Sequence, residues 1–354
     1  MYTASAFVVT LLFMPVLIKL LSQWQIFDAP GKHKIHKRYV PAMGGICILL
    51  GVTFSLLIGL PFAEWIALKF FFIPLALMFI TGLRDDILTL NPLEKLIGQV
   101  LPVTILVIFG NTLIISFYGL IFPGIEFPLY VSWLVTIFIV IILTNAYNLI
   151  DGIDGLAGSV GIVSLVSFGT WFLVADKPSL ALVSFLFAGS TAAFLIYNWQ
   201  PSRIFMGDTG ALVIGLVLSF LSVEFINANY RLPDTSPIKF TSSIGSAICI
   251  MIIPVFDTLR VIILRLRKLQ SPFRADTNHL HHQFLRLGFS HARSVVVIVA
   301  IQLAFVTLAF AFRSAGDMVI LPLAAVSCLC ISIGIKVALK NHERHKGTSL
   351  LPEK

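Results

Sequence analysis

Residues 210–226 read GALVIGLVLSFLSVEFI, an apolar run in which Glu224 is the one charged side chain. An α-helix needs about 20 apolar residues to cross the hydrocarbon core of a bilayer, and this run approaches that length. Inside a membrane, only helices and closed barrels satisfy every backbone polar group. The run therefore predicts a membrane-spanning helix, and the polar residues just before it predict a loop at one membrane surface.

Similar apolar runs occupy most of the chain. Of its 354 residues, 58% are hydrophobic and 12% are charged, and the mean hydropathy is +0.96. An average soluble domain carries about 25% charged residues, so the composition excludes an ordinary soluble protein, and its hydrophobicity excludes a disordered chain. We predict a single all-α polytopic membrane domain over residues 1–340 and a short cytoplasmic tail over residues 341–354. Eleven transmembrane helices are expected, near residues 4–22, 43–60, 65–82, 97–111, 131–147, 158–175, 180–197, 210–226, 243–264, 294–312 and 317–339.

The distribution of basic residues predicts the orientation. Most of the 25 Lys and Arg residues fall in the odd-numbered loops between these spans and in the tail. Cytoplasmic loops carry an excess of Lys and Arg, so the N-terminus is expected outside and the C-terminus in the cytoplasm. The formal net charge of +8 reflects this bias, and no nucleic-acid partner is expected.

Two adjacent carboxylates, Asp85 and Asp86, follow the third span. Paired carboxylates at a membrane boundary are costly without a cation or a proton. They indicate a divalent metal, a base function or both. The alternative is a solvated helix end with aspartate caps.

The fifth loop is rich in oxygen ligands. Asn148, Asp151 and Asp154 recur every three residues and would share one face of a helix, and Gly152 lets the backbone approach a ligand closely. Such hard oxygen donors suit Mg²⁺, although a glycine-rich turn with Asx capping would use the same residues. Asp208, just before the eighth span, is likewise either a metal ligand or a helix N-cap.

The first and ninth loops are basic. Histidine and arginine side chains of the ninth loop would form a cationic pocket for a diphosphate. A zinc site is the alternative. It is disfavoured because adjacent histidines on a helix would point apart and because this loop contains no cysteine. The preceding helix carries Asp257 and Arg260, whose spacing predicts an intrahelical ion pair. The candidate phosphate ligands are Arg274, His279, His281 and His282 in the ninth loop, and Lys34, His36 and Arg38 in the first, where a topology signal or a contact with anionic lipid is the alternative.

All these clusters lie on the side predicted to be cytoplasmic, which suits phosphoryl transfer between a nucleotide-linked donor and a lipid. The motifs also occur in the order of a known family. The chain resembles the polyprenyl-phosphate N-acetylhexosamine-1-phosphate transferases, the superfamily of MraY and WecA, over nearly its whole length. The histidine motif is similar to that of the WecA and TagO branch. The matching segments are Asp28-x-Pro30 to Gly44-Gly45, Asp85-Asp86, Asn148-x-x-Asp151-Gly-x-Asp154-Gly, Phe205-Met-Gly-Asp208-x-Gly210 and His279-Leu-His281-His282.

The resemblance implies a reaction in which a UDP-activated amino sugar gives its sugar-1-phosphate to undecaprenyl phosphate, releasing UMP. It implies that Asp208, with Asn148, ligates Mg²⁺, with Mn²⁺ as a second option. Asp85, with Asp86, would deprotonate or orient the attacking lipid phosphate. The uridine would be held by Gly152, Asp154, Asn198 and Phe205, and the diphosphate and sugar by Arg274, His279, His281 and His282.

The spelling of the histidine motif favours UDP-N-acetylglucosamine as donor, with another UDP-N-acetyl sugar as the alternative. The family further implies a multi-pass protein of the bacterial cytoplasmic membrane and a homodimer. A transporter or flippase for polyprenyl-linked sugars is a rival from another class, but it would require ionisable groups along a path inside the spans. An inactive scaffold is a second rival, and the intact aspartates argue against it.

Overall fold

The computed structural model describes residues 2–27, 40–59, 65, 68–121, 124–270 and 278–348. This part of the chain is all-α and contains thirteen helices. In chain order they are α1 (Tyr2–Gln23), α2 (Gly45–Gly59), α3 (Lys69–Leu88), α4 (Pro92–Ile108), α5 (Leu129–Leu149), α6 (Leu156–Val174), α7 (Pro178–Asn198), α8 (Gly207–Tyr230), α9 (Ser243–Ile250), α10 (Ile252–Arg267), α11 (Leu280–Arg286), α12 (His291–Ala311) and α13 (Asp317–Thr348).

Seven of the described helices are long and apolar enough to cross a membrane, and the bent pair α9–α10 makes an eighth when counted as one span. The prediction of a polytopic all-α membrane protein is confirmed. Each of the eleven predicted spans overlaps at least one helix, and the number eleven and the orientation stay predictions. The seven are α1, α5, α6, α7, α8, α12 and α13.

Helix α8, which contains the apolar run 210–226, lies at the centre of the protein. The most apolar part of it is 94% buried, against 22% for α1 and for α13. Glycines let its neighbours approach closely, as is common between membrane helices. A Cβ added to Gly45 of α2 would lie 2.2 Å from the backbone nitrogen of Gly210, and one added to Gly215 would lie 2.8 Å from the carbonyl oxygen of Thr144 in α5. The start of α8 is therefore held by several helices at once.

The ninth predicted span, 243–264, is not one straight helix, because α9 and α10 meet at an angle of 86°. Pro254 supplies the physical reason. It has no backbone N–H, so the carbonyl of Ile250 loses its donor within the helix. That carbonyl instead accepts hydrogen bonds from Oγ of Ser164 at 3.0 Å and from Nε2 of Gln302 at 3.1 Å. Side chains of α6 and α12 thus satisfy the buried backbone oxygen at the break.

Helix α4 begins several residues before the predicted fourth span, 97–111. Oδ1 of Asn91 accepts a hydrogen bond from the N–H of Glu94 at 2.9 Å, and the Glu94 carboxylate accepts one from the N–H of Asn91 at 3.1 Å. This reciprocal capping box, with Pro92 at the first helical position, adds a polar turn in front of the apolar run. It places Lys95 in the first turn of α4.

Candidate active site

The paired aspartates meet Asp208 where two helix ends come together. Asp85 and Asp86 lie in the last turn of α3, and Asp208 lies in the first turn of α8. Gly82 permits this contact, because a Cβ added to it would lie 2.5 Å from the carbonyl oxygen of Asp208. The structure thus brings together three aspartates that are far apart in the sequence.

Lys95 lies between these carboxylates. Its Nζ is 2.9 Å from Oδ2 of Asp85 and forms a second ion pair with Oδ1 of Asp208. It also donates a hydrogen bond to Oδ1 of Asn148 at 3.3 Å, and Nδ2 of Asn148 donates to Oδ1 of Asp208 at 2.5 Å. Lys95 was not among the predicted site residues. The available signal was a lysine within one helical turn of a predicted span, shortly after a pair of carboxylates in the sequence.

Asp85 and Lys95 stabilise each other's charged forms. Burial alone would raise the pKa of Asp85, but the hydrogen bond and the charge of Lys95 hold it below its ordinary value. Burial opposes the charge on Lys95, and the neighbouring carboxylates of Asp208 and Asp85 nevertheless raise its pKa. Asp85 and Lys95 are therefore an ion pair at neutral pH.

Asp86 has a different role from Asp85. Its Oδ1 accepts a hydrogen bond from the backbone N–H of Asp208 at 2.8 Å, and its Oδ2 accepts one from the N–H of Thr209 at 2.9 Å and another from the Thr209 hydroxyl. Asp86 therefore caps the N-terminus of α8 from another helix, where a carboxylate also complements the helix dipole. Burial and the nearby charge of Asp208 raise the pKa of Asp86 to about 6, although its bonds to Thr209 oppose the rise. Since Asp86 provides the cap, the carboxylate of Asp208 is left to Lys95 and Asn148.

The fifth loop does not present one helical face. Helix α5 ends at Leu149, and the turn that follows includes Gly155 at φ +79°, a conformation that favours glycine. Asn148 points to Asp208, whereas Asp154 accepts a hydrogen bond from the Ser202 hydroxyl at 3.0 Å. The expectation that residues 148, 151 and 154 share a face is wrong, because the helix stops before Asp151.

Asn198 joins the fifth and seventh loops. Its Oδ1 accepts a hydrogen bond from the N–H of Gly155 at 2.9 Å, and its Nδ2 donates to the carbonyl of Ile204 at 2.9 Å. The side chain is 3% exposed, and both ends of its amide bind backbone. Next to Ile204, Phe205 accepts from the N–H of Gly44 through its carbonyl at 2.9 Å. The predicted uridine ligands Asn198 and Phe205 thus also tie the loops of the site together.

The histidine motif lies against the fifth loop. A Cβ added to Gly152 would lie 2.3 Å from Nε2 of His281. The rings of His279 and His281 stack with centroids 5.7 Å apart and planes 7° apart, and the ring of His282 lies 4.4 Å from that of His281. Burial lowers the pKa of His281 to about 3. His281 is therefore neutral, and the expected cationic pocket gains no charge from it.

Within the described residues, no group of three or more His, Cys, Asp or Glu side chains is arranged to hold a metal ion. The zinc alternative thus gains no support, and a magnesium site would have to use fewer carboxylates together with other ligands. The predictions for four basic residues fall outside the described part of the chain. These residues are Lys34, His36, Arg38 and Arg274.

Comparison with known proteins decides the family. The model of glycosyl transferase family 4 matches residues 68–226, which carry the aspartate cluster. A probable undecaprenyl-phosphate N-acetylglucosaminyl 1-phosphate transferase of Bacillus subtilis (strain 168) is 31% identical over 315 residues, covering 88% of this chain and 85% of that protein. The chain belongs to glycosyl transferase family 4. The resemblance inferred from the motifs is confirmed.

Two further relatives of this family differ in their names. A phospho-N-acetylmuramoyl-pentapeptide-transferase of Desulforudis audaxviator (strain MP104C) is 32% identical over 337 residues, covering 86% of this chain and 95% of that protein. An undecaprenyl-phosphate alpha-N-acetylglucosaminyl 1-phosphate transferase of Escherichia coli (strain K12) is 28% identical over 307 residues, covering 83% and 78%. The identities are similar, so they do not choose between the two names.

Proposed function

We propose that this protein transfers N-acetylglucosamine-1-phosphate from UDP-N-acetylglucosamine to undecaprenyl phosphate and releases UMP. The convergence of Asp85, Lys95, Asn148 and Asp208 at one end of the most buried helix carries this proposal. Undecaprenyl phosphate and N-acetylglucosaminyl 1-phosphate transfer both appear in the names of relatives. The spelling His279-Leu-His281-His282 favours N-acetylglucosamine, and another UDP-N-acetyl sugar is the alternative donor.

The cluster fits a magnesium ion. Oxygens of Asp85, Asn148 and Asp208 already surround a single cationic nitrogen, that of Lys95. Magnesium sites in phosphoryl-transfer enzymes use one or two carboxylates and leave the other positions to water and substrate phosphates. Asp208 and Asn148 would therefore hold Mg²⁺, or Mn²⁺ in its place. When bound, the ion would offset negative charge on the donor diphosphate.

In the proposed reaction, an oxygen of the polyprenyl phosphate attacks the β-phosphorus of the donor. The bond between this phosphorus and the bridging oxygen breaks, and that oxygen leaves with UMP. The carboxylate of Asp85 orients the lipid phosphate or takes its proton. A phosphate with a second pKa near 6 needs little base strength, so orientation is the larger contribution. Asp86 contributes by holding the backbone of Asp208 through the start of α8.

The remaining parts of the proposal follow from the charge pattern and the family. We place eleven spans in the bacterial cytoplasmic membrane, with the N-terminus outside and the C-terminus and the aspartate cluster on the cytoplasmic side. Residues 1–340 form one transferase domain, and a homodimer is expected. The expected substrates are a UDP-N-acetylhexosamine and undecaprenyl phosphate, and the surrounding membrane lipid is a further partner.

The test is UMP release by the purified protein from a panel of UDP-sugars, with undecaprenyl phosphate and Mg²⁺. UMP is expected only with lipid and metal present, and EDTA or Asp208→Ala is expected to abolish it. Asp234→Ala is the matched control, because Asp234 also pairs with a lysine, Lys239 at 2.8 Å, but is exposed. Folded wild-type protein that releases no UMP from any donor would contradict the proposal and favour transport of a lipid-linked sugar.

A further inference from the structure

Asp257 is a buried carboxylate to which the proposed reaction assigns no part. It lies in α10 and is 1% exposed. Its Oδ1 accepts hydrogen bonds from Nη2 of Arg260 at 2.9 Å and from the backbone N–H of Leu280 at 2.8 Å. Its Oδ2 lies 2.9 Å from Nδ1 of His279. The intrahelical pair with Arg260 is confirmed, and the contact with the histidine motif adds to it.

The contact determines which nitrogen of His279 carries the proton. An ionised carboxylate only accepts hydrogen bonds, so Nδ1 of His279 must be the donor to Asp257. The proton on Nδ1 leaves Nε2 as the nitrogen available to a ligand, accepting when the ring is neutral and donating when it is protonated.

The same contact fixes where the histidine motif lies. Arg260 also donates to the carbonyl of Asn278, immediately before His279. Asp257 and Arg260 therefore bind three consecutive residues, 278 to 280, from one helix. The ring of His279 stacks on His281, and His281 lies against Gly152 of the fifth loop. A displacement of His279 would therefore reach the loop that carries Asp151 and Asp154.

We propose that Asp257 is a positioning residue of the transferase, which holds His279 with Nδ1 protonated and Nε2 free for the diphosphate of the donor. This inference rests on the proposed function. A buried carboxylate is costly to desolvate and is compensated here by three donors. Because one of the three is an imidazole of the candidate site, the carboxylate influences the chemistry of that site as well as the packing of α10.

Asp257→Asn tests the proposal while keeping the size of the side chain. The amide oxygen can still accept from Arg260 and Leu280, but the amide nitrogen then faces Nδ1 of His279 as a donor. Nδ1 must become the acceptor, and the proton moves to Nε2. We expect kcat/KM for the UDP-sugar to fall about 10- to 100-fold, with the KM for undecaprenyl phosphate unchanged. Wild-type kcat/KM in the variant would overturn the proposal.

A double-mutant cycle separates positioning from packing. In a His279→Ala background, Asp257→Asn is expected to cause little further loss of kcat/KM, because its effect passes through the missing imidazole. An equal loss in both backgrounds would overturn the proposal. Asp317→Asn is the matched control, since Asp317 is a buried carboxylate that accepts from the N–H of Gly245 at 2.6 Å in the same bent pair. It is expected to lower the Tm but to leave kcat/KM unchanged.

A measurement on the wild-type protein tests the position of the proton directly. The ¹⁵N spectrum of histidine-labelled protein, assigned with His279→Ala, reports which ring nitrogen bears the proton. Protonated Nδ1 in neutral His279 is expected, and a proton on Nε2 alone would overturn the proposal. UMP release by the same preparation tests the proposed function separately. A failure of the proposed transferase activity can therefore be distinguished from a failure of the proposed role of Asp257.

Discussion

Replacing Gly82 by alanine is expected to slow the reaction about 100-fold without removing any functional group. The added Cβ would lie 2.5 Å from the carbonyl oxygen and 2.7 Å from the carbonyl carbon of Asp208. Ordinary contact begins near 3.4 Å, so α3 and the start of α8 must separate by about 0.9 Å. Because the atoms that clash belong to the backbone of a packed helix, no flexible side chain can relieve them. The separation displaces Asp85 from Asp208, and a displacement of about 1 Å costs about 10²-fold in rate.

The assay is kcat for UMP release at saturating substrates, with a thermal melt of each variant. Gly334→Ala in α13 is the control, because a Cβ added to Gly334 meets no atom within 4 Å. The control variant is expected to keep wild-type kcat and to be slightly more stable, since alanine favours a helix over glycine. A folded Gly82→Ala variant with wild-type kcat would refute the argument, as would an equal loss in Gly334→Ala.

Substitutions at three further residues, Lys95, Asp86 and His281, are tested by thermal melts. Lys95→Met leaves two carboxylates without their shared cation and is expected to cost about 3 kcal/mol, and Mg²⁺ is expected to restore more stability in this variant than in wild type. Asp86→Ala removes the cap of α8 and is expected to cost about 1–2 kcal/mol, whereas Asp86→Asn keeps one of the two acceptor oxygens and should lose less. Burial holds the pKa of His281 at about 3, below the value of about 6.5 in the unfolded chain. The unfolded state therefore binds the extra proton, so stability should fall by about 1.4 kcal/mol per pH unit as the pH drops below about 6.5. His281→Asn should remove this slope between about pH 4 and 6.

The apolar pattern predicted the helices well because it depends on local physics. A run such as 210–226 cannot leave its backbone unpaired in lipid, so it becomes a helix whatever its neighbours are. The predicted span 243–264 shows the limit of that argument. Most of its residues are apolar, but Pro254 removes one hydrogen bond, and the partners that compensate, Ser164 and Gln302, come from distant helices.

The sequence predicted the residue types of the candidate site better than it predicted the contacts between them. The motifs singled out Asp85, Asp86 and Asp208, and the structure places them together. The pattern did not show that Asp86 caps α8 while Asp208 faces a lysine, because an aspartate before a span suits either use. Lys95 was missed as part of the cluster, since a lysine at a span end is more often a sign of topology.

By itself, the sequence determined that the chain is a polytopic helical membrane protein. Hydrophobicity and the need to pair backbone groups suffice for that, and both act over neighbouring residues. Only the tertiary structure decided which carboxylates bind Lys95, which one caps α8 and which one binds His279. These contacts depend on close packing between helices at glycines such as Gly82 and Gly45. Such packing brings together residues that are far apart in the sequence, so no periodic pattern in the sequence predicts it.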